Sequence, residues 1–395
     1  MTTSTSRSSA PAGDAHTVGE PVVVVGAGLG GLTLARVLHR HGIPVTVYDA
    51  DASERARSQG GQLDLHEHNG QLALEIAGLT QEYRSIIHRG GGAQRVLDPH
   101  GTVLADLPDD GSLARPEALR GDIRRMLLES LPPGTVQWGK KLRTATSSGG
   151  GRHELVLADG SQVSTGILVG ADGAWSKVRP LLSPEKPTYA GMSYVDTFLD
   201  DVDERHPAVA RVVGGGALYA LTPGKGFLAH REAGNRIHTY VVLHRPLDWF
   251  EDIDFTDAKG AKARIAGEFA GWAPELVSLI ADADTAPVLR SIHQLPDDHR
   301  WSRVLGATLL GDAAHVTLPG GEGANLAMLD GAELGQAIIA HPDDVEAAFA
   351  AYEDVMFTRA REEAIAARET IDLIFGAGAP HGLVDLFLNG ADAPA

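Results

Sequence analysis

The chain has 395 residues, 43% hydrophobic and 22% charged, an ordinary balance for a globular protein and long enough for two joined lobes. Its 34 basic residues against 52 acidic ones leave a net charge of −18, which argues against a nucleic-acid partner or an anionic membrane surface. Cysteine is absent, so disulfides, thiolate metal sites and a cysteine nucleophile are excluded, and a reducing cytoplasm suits the composition. Residues 1–19 are rich in Ser, Thr, Ala, Pro and Gly without an apolar core, and read as a disordered leader rather than a signal peptide. No run approaches the roughly 18 apolar residues of a spanning helix, so a cytoplasmic protein is expected.

Four consecutive valines, 22–25, suit a strand of a parallel sheet buried on both faces. Gly26, Gly28 and Gly31 follow, with Leu29 inside the run, at the spacing of the dinucleotide fingerprint. The first glycine makes the turn, the second admits a pyrophosphate, and the third lets helix pack on strand. Ala35 and Leu38 continue a helix that Gly42 ends, and a second strand, 45–48, leads to Asp49. Asp49 lies 23 residues after Gly26, close to the roughly 20 expected of the acid that binds a ribose. A carboxylate there favours FAD or NAD over NADP.

Further along, 62–65 reads as a short strand, 72–79 as a helix ending near Gly78, and 96–97 with 103–107 as a hairpin. Pro116 is expected to open a helix reaching Leu131, with apolar residues at 119, 123, 127 and 131. A second hairpin surrounds 158–160, and 167–170 is another buried strand. From about 185 to 300 short strands (192–199, 217–221, 227–230, 237–243) suggest an inserted antiparallel sheet, followed by one or two helices over 249–280. The parallel-strand pattern returns at 307–310, and alanine-rich helices follow at 324–340 and 343–375.

Two later strand ends repeat the first. Asp172-Gly173 follows one buried strand and Gly311-Asp312 another, and such ends of an open α/β sheet converge on one crevice. Each acid could instead cap its own turn. Pro319-Gly-Gly-Glu-Gly323-Ala-Asn325 then precedes a helix, whose N-terminus would favour the negative end of a reduced flavin.

Fingerprint, Asp-Gly motif with Ser176-x-Val-Arg179, Gly-Asp motif with Ala-Ala-His315, and the glycine loop ending in Asn325 stand in one order over residues 20 to about 375. In that order they resemble the class A FAD-dependent monooxygenases, the aromatic-hydroxylase family. Gly60-Gly-Gln-Leu-Asp-Leu-His66 and the segment 118–127 look like the tetracycline-inactivating members. The resemblance implies an α/β fold: a Rossmann-like FAD-binding domain (20–184 and 301–342), an inserted β-sheet substrate domain (185–300), a C-terminal helix (343–376) and a tail (377–395). It implies that Gly26, Gly28, Leu29 and Gly31 hold the FAD pyrophosphate and Asp49 the adenosine ribose. Arg120 and Asp172 would contact FAD, Asp312 a ribitol hydroxyl, and Gly323 and Asn325 the isoalloxazine.

The implied reaction has NADPH or NADH reduce FAD, after which a flavin C4a-hydroperoxide hydroxylates a phenolic or enolic polycycle, tetracycline-like or an aromatic polyketide. The reactive group belongs to the cofactor, so no catalytic residue is assigned on the protein. A same-fold oxidase, reductase or Baeyer–Villiger enzyme stays open, as does a non-catalytic flavin- or drug-binding protein. The substrate residues of the tetracycline enzymes fall on Asp196 and Ala217, where they carry glutamine and arginine, and on His238, which is retained. Phe198, Tyr219, Phe227 and Tyr240 are further candidates for the pocket wall, each equally suited to plain core, and Phe375 is a candidate to close the pocket. Ala50 follows Asp49 where relatives often carry a basic residue, and the loop after His315 is one residue short. His66 and His68 lack a third ligand, so no metal site is expected, and the partners expected are a small molecule and O2, bound by a monomer.

Overall fold

The computed structural model describes residues 19–56, 60–88, 91–109, 111 and 115–389. The leader, apart from Gly19, and the last six residues of the expected tail lie outside that range. Five strands form a parallel sheet in the order Ala307–Leu309, Leu168–Gly170, Val22–Val25, Val45–Tyr48, Val136–Gln137. Val22–Val25 is central and buried throughout, which is why four valines occupy it. Because the strands run the same way, Gly26, Asp49, Asp172 and Asp312 emerge at one end of the sheet. The helix Leu29–Arg40 lies against Gly323–Ala340, with glycines 30, 331 and 335 at the crossing, so the two backbones approach closely.

A second, seven-stranded sheet runs in the order Val288–Gln294, Thr188–Leu199, Arg236–Leu243, Lys225–Glu232, Ala217–Thr222, Gln94–Leu97, Val103–Leu107. Its pairings are antiparallel except that between Ala217–Thr222 and Gln94–Leu97, so the hairpin at 94–107 extends the sheet built by the middle of the chain. One face packs on the helices Leu247–Glu251, Ala258–Ala266 and Pro274–Ala281 through Phe227, Phe250, Phe269 and Leu276. The helix Val345–Phe375 follows Gly323–Ala340, and His381–Asn389 adds a further helix inside the expected tail. Among the described residues, no helix is long and apolar enough to cross a membrane.

Two local expectations fail for identifiable reasons. The helix placed from Pro116 begins only at Arg120, because Glu117–Leu119 pairs antiparallel with Gln62–Asp64 and those residues are extended. Long-range pairing there overrides a four-residue apolar period. The segment 249–280 holds three short α-helices and a 3-10 turn at Gly267–Phe269, because Asp257 caps a new start by accepting from Gly260 N and Pro274 opens another.

Candidate active site

At the carboxyl end of the parallel sheet lies a cleft of about 220 Å³, lined by Gly28, Leu29, Gly31, Arg120, Asp312 and Gly323 among others. Gly26 turns the chain at φ +110°, and a side chain there would meet Ala171 O at 2.2 Å. Two helices point their N-termini at this cleft, Leu29–Arg40 and Gly323–Ala340, and neither has a side-chain cap. Uncapped helix N-termini carry partial positive charge and free N–H groups, the donor set an anionic dinucleotide requires.

The remaining predicted cofactor residues sit around the cleft rather than in it. Asp49 is buried, its carboxylate accepting from Ala27 N at 2.6 Å and Asp51 N at 2.8 Å, so it braces the glycine turn from below. Asp172 accepts from Ser176 Oγ (2.5 Å) and Lys177 N (2.6 Å) and thereby caps its own turn. Asn325 is fully buried; its Oδ1 accepts from His66 N (3.1 Å) and its Nδ2 donates to Asp64 O (3.0 Å). It joins the glycine loop to the segment 60–66.

A separate chamber of about 560 Å³ lies under the seven-stranded sheet, lined by Gln62, Glu117, Tyr219, His230, Glu232 and His238 among others, with Ala217 and Tyr240 beside them. The ribbon of Gln62–Asp64 and Glu117–Leu119 links the two cavities: Gln62, Asp64 and Glu117 face the chamber, and Arg120, at its end, lines the cleft. His238 lies between two carboxylates, hydrogen-bonded through Nε2 to Asp196 Oδ1 and with Nδ1 3.2 Å from Glu232 Oε1. Burial works against protonation of His238, but Asp196 and Glu232 outweigh it and raise its pKa.

Asp196 does not reach the chamber wall. It sits behind His238 and takes two hydrogen bonds from Arg290, at 2.6 and 2.8 Å. Burial pushes its pKa up, but His238 and Arg290 hold it below the usual carboxylate value. The expectation for Phe227 is overturned: side chains alternate along Lys225–Glu232, and with His230 and Glu232 facing the chamber Phe227 turns to the helix-backed core. There its ring lies 4.2 Å from that of Phe269. Phe375 does not line the chamber; it packs in the core with Tyr194 and Leu318, against which the chamber residues Tyr219 and Tyr240 rest.

Residues 20–354 match the family described as FAD binding domain. The chain belongs to that family. It is 28% identical to the monooxygenase asqM of Emericella nidulans, over 86% of this chain and 92% of that protein. To the FAD-dependent urate hydroxylase of Klebsiella pneumoniae it is 29% identical, over 90% of each. The crystal structure of the tetracycline destructase Tet(51) shares the fold, with a TM-score of 0.67 at 16% identity over 95% of this chain and 99% of that one. This chain is thus a class A flavin monooxygenase, an oxidoreductase with FAD as its cofactor. The donor set of the cleft suits that cofactor: two uncapped helix ends could receive its phosphates and electron-rich ring, and the acid beside them a hydroxyl.

Several residues that serve this flavoenzyme's site carried little signal in the sequence. Arg179 donates to Ala313 O (2.8 Å) and Asp312 O (3.0 Å), tying the Asp-Gly turn to the Gly-Asp turn. It stands in the Ser176-x-Val-Arg179 motif, yet a surface arginine would read the same. His66 lies between Asp64 Oδ2 (2.9 Å) and Glu322 Oε1 (2.5 Å) and is 7% exposed, so it fastens the short loop 319–325 to the segment 60–66. Hydrogen bonds to Asp64 and then Glu322 raise its pKa to about 9, against burial.

A folded-state pKa above the free value means that the stabilisation is complete below pH 6.5 and is lost as pH rises through about 9. The pKa of Glu322 is lowered despite burial, by its bond with His66, so its contribution is complete above pH 4.5 and is lost at lower pH. His66→Gln is therefore expected to lower stability by about 1.5–3 kcal/mol near pH 6. Melting curves of both proteins from pH 5 to 10 should converge above pH 9; a constant gap across that range would disprove the link.

Proposed function

We propose that this monooxygenase hydroxylates a small, electron-rich aromatic or enolic molecule, consuming O2 and NADH or NADPH. The observation that carries the reading is the pairing of a cleft at two helix N-termini with a separate chamber, the ribbon that lines the chamber leading directly into Arg120 of the cleft. Kinship to a urate hydroxylase and other monooxygenases supports it. The chamber volume, about 560 Å³, suits a ligand of drug size, including a tetracycline-like or aromatic polyketide polycycle.

Bound FAD, reduced by the nicotinamide, supplies the oxygen-transfer chemistry. The protein's own residues do the rest. The N–H groups of Gly28–Gly31 and Gly323–Ala324 hold the phosphates and the electron-rich ring edge, while Asp312 accepts a hydroxyl hydrogen bond. The seven-stranded sheet roofs the chamber, excludes water and orients the ligand's reacting carbon toward the cleft.

The purified protein is expected to be yellow and to oxidise NADPH faster when a phenolic substrate is added, with one atom of labelled O2 in the product. Oxidation without label in the product would make it an oxidase or reductase instead. Asp312→Ala removes a charged hydrogen-bond acceptor, a loss of about 1.5–3 kcal/mol, or roughly 10- to 100-fold in FAD affinity. A variant that stays fully yellow through gel filtration would refute the role assigned to Asp312.

A further inference from the structure

The chamber wall is rich in buried acceptors and poor in available cations. Glu232 is 5% exposed, and its Oε1 lacks a well-aligned hydrogen bond; its ion-pair neighbour is His238 Nδ1 at 3.2 Å, on a ring that it shares with Asp196. Glu117 takes a hydrogen bond from His230 Nε2 on Oε1 (3.2 Å), which leaves its buried Oε2 without a partner. Neither amide atom of Gln62 has a partner, and both are buried. All three residues line the same cavity. Buried polar atoms are rarely left this way, and a cluster of them around one cavity points to a ligand that supplies what is missing.

The counter-charges tell the other half. Among the described lining residues only Arg115 is an arginine or lysine, and it is exposed. Arg290, on the neighbouring strand, is engaged with Asp196 through two hydrogen bonds. Ala217, which pairs with His230 across the strands, presents a methyl group where a cation could stand. An aromatic carboxylate entering this chamber would lose its water and meet Glu232 and Glu117 without a guanidinium to receive it.

We infer that the chamber takes uncharged or cationic aromatic molecules that present N–H or O–H donors along one edge, such as aromatic amides, lactams and aminophenols, and turns aromatic carboxylates away. The inference rests on reading the chamber as the substrate site. It divides molecules of equal size and ring chemistry by one group alone.

The test uses FAD-loaded protein at pH 7.5 and two matched pairs, salicylamide with salicylate and 3-hydroxybenzamide with 3-hydroxybenzoate. Binding is followed by ligand-observed NMR and by perturbation of the flavin spectrum. The amide of each pair is expected to bind at least tenfold more tightly than the acid. Glu232→Gln, which preserves shape, should narrow that ratio at least threefold, and Ala217→Arg should reverse it. Acids that bind as tightly as their amides, or no binding by any of the four at millimolar concentration, would overturn the inference. Failure of the catalytic reading looks different: a colourless protein, or one with no substrate-dependent oxygen uptake, whose amide-to-acid binding ratio is still read by NMR.

Discussion

Gly31→Ala is expected to yield a colourless protein with a lower melting temperature even before FAD is added. A Cβ at this position would lie 2.1 Å from Gly26 O, 3.2 Å from Ala171 Cβ and 3.3 Å from Val24 Cγ1. The first neighbour is backbone of the fingerprint turn and cannot swing aside as a long side chain would. The helix Leu29–Arg40 must therefore move off the central strand, carrying its N-terminus away from the phosphate site. Overpacking of this kind costs about 1–3 kcal/mol in the apoprotein, and the displaced N–H groups weaken FAD further. Gly28→Ala is the control. No atom lies within 4 Å of a Cβ there, and its φ of −75° suits any residue, so the apoprotein should melt as wild type while FAD binding alone declines. Equal melting temperatures for wild-type and Gly31→Ala apoproteins would refute the packing argument.

The contrast between these two glycines bears on what could be read from the chain. Glycine spacing announces the turn, because few other motifs place three glycines between a valine strand and an amphipathic helix. It does not announce which glycine is required by neighbouring backbone and which by the ligand. The parallel sheet was legible for a similar reason: Val22–Val25, Leu168–Gly170 and Ala307–Leu309 are short apolar runs, the first followed by the glycine fingerprint and the other two by a paired glycine and acid. The ribbon of Gln62–Asp64 and Glu117–Leu119 was only half so: 62–65 reads as a strand, but its partner does not, since the strands are three residues long and 53 positions apart. Nothing local marks such a pair, and a helical period running on into 120–129 masks it.

The same limit separates the two cavities. Gly28, Leu29, Gly31, Arg120, Asp312 and Gly323 meet in one cleft; all but Arg120, which the family resemblance alone supplies, stand in motifs whose residue types suit the ligand's chemistry. The chamber depends instead on which face of a strand a residue occupies. Phe227 looked suitable by residue type and lies on the wrong face, whereas Glu232, five residues on, lies on the right one. Tyr219, His238 and Tyr240 do line it. Strand register decides the matter, and register is set by the partner strand rather than by the segment itself.

Asp330 is the other position where a single change should have a large effect. It is 1% exposed on the helix Gly323–Ala340, amid Leu326, Met328, Leu329 and Ala332. Its Oδ2 accepts from Gly311 N (2.9 Å) and His315 Nε2 (2.6 Å), and its Oδ1 from Arg359 (2.8 Å). One carboxylate thus anchors both ends of the turn that carries Asp312 and binds it to the C-terminal helix. Burial opposes its ionisation, but His315 and Arg359 hold the pKa below the usual value; Asp330 in turn raises that of His315 against its own burial.

Asp330→Ala strands the buried His315 and takes from Arg359 one of its two carboxylates, Glu333 remaining at 2.7 Å, and should destabilise the apoprotein by about 3–5 kcal/mol in urea unfolding. Asp330→Asn keeps the shape and the acceptor oxygen while losing the charge, so its destabilisation should be smaller. Since Asp330 raises the His315 pKa and His315 lowers that of Asp330, the pair's stabilisation is complete between pH 3.8 and 6.5 and is lost as pH rises through the shifted His315 value or falls through that of Asp330, and Asp330→Asn should remove that pH dependence. FAD affinity separates positioning from simple support. Asp330 does not line the cleft, so a purely structural role would lower the folded fraction while leaving FAD affinity per folded molecule unchanged. A carboxylate that sets the Gly311–Asp312 turn predicts instead a folded Asp330→Asn protein with clearly weaker FAD binding, and little further loss when Asp312→Ala is added to it.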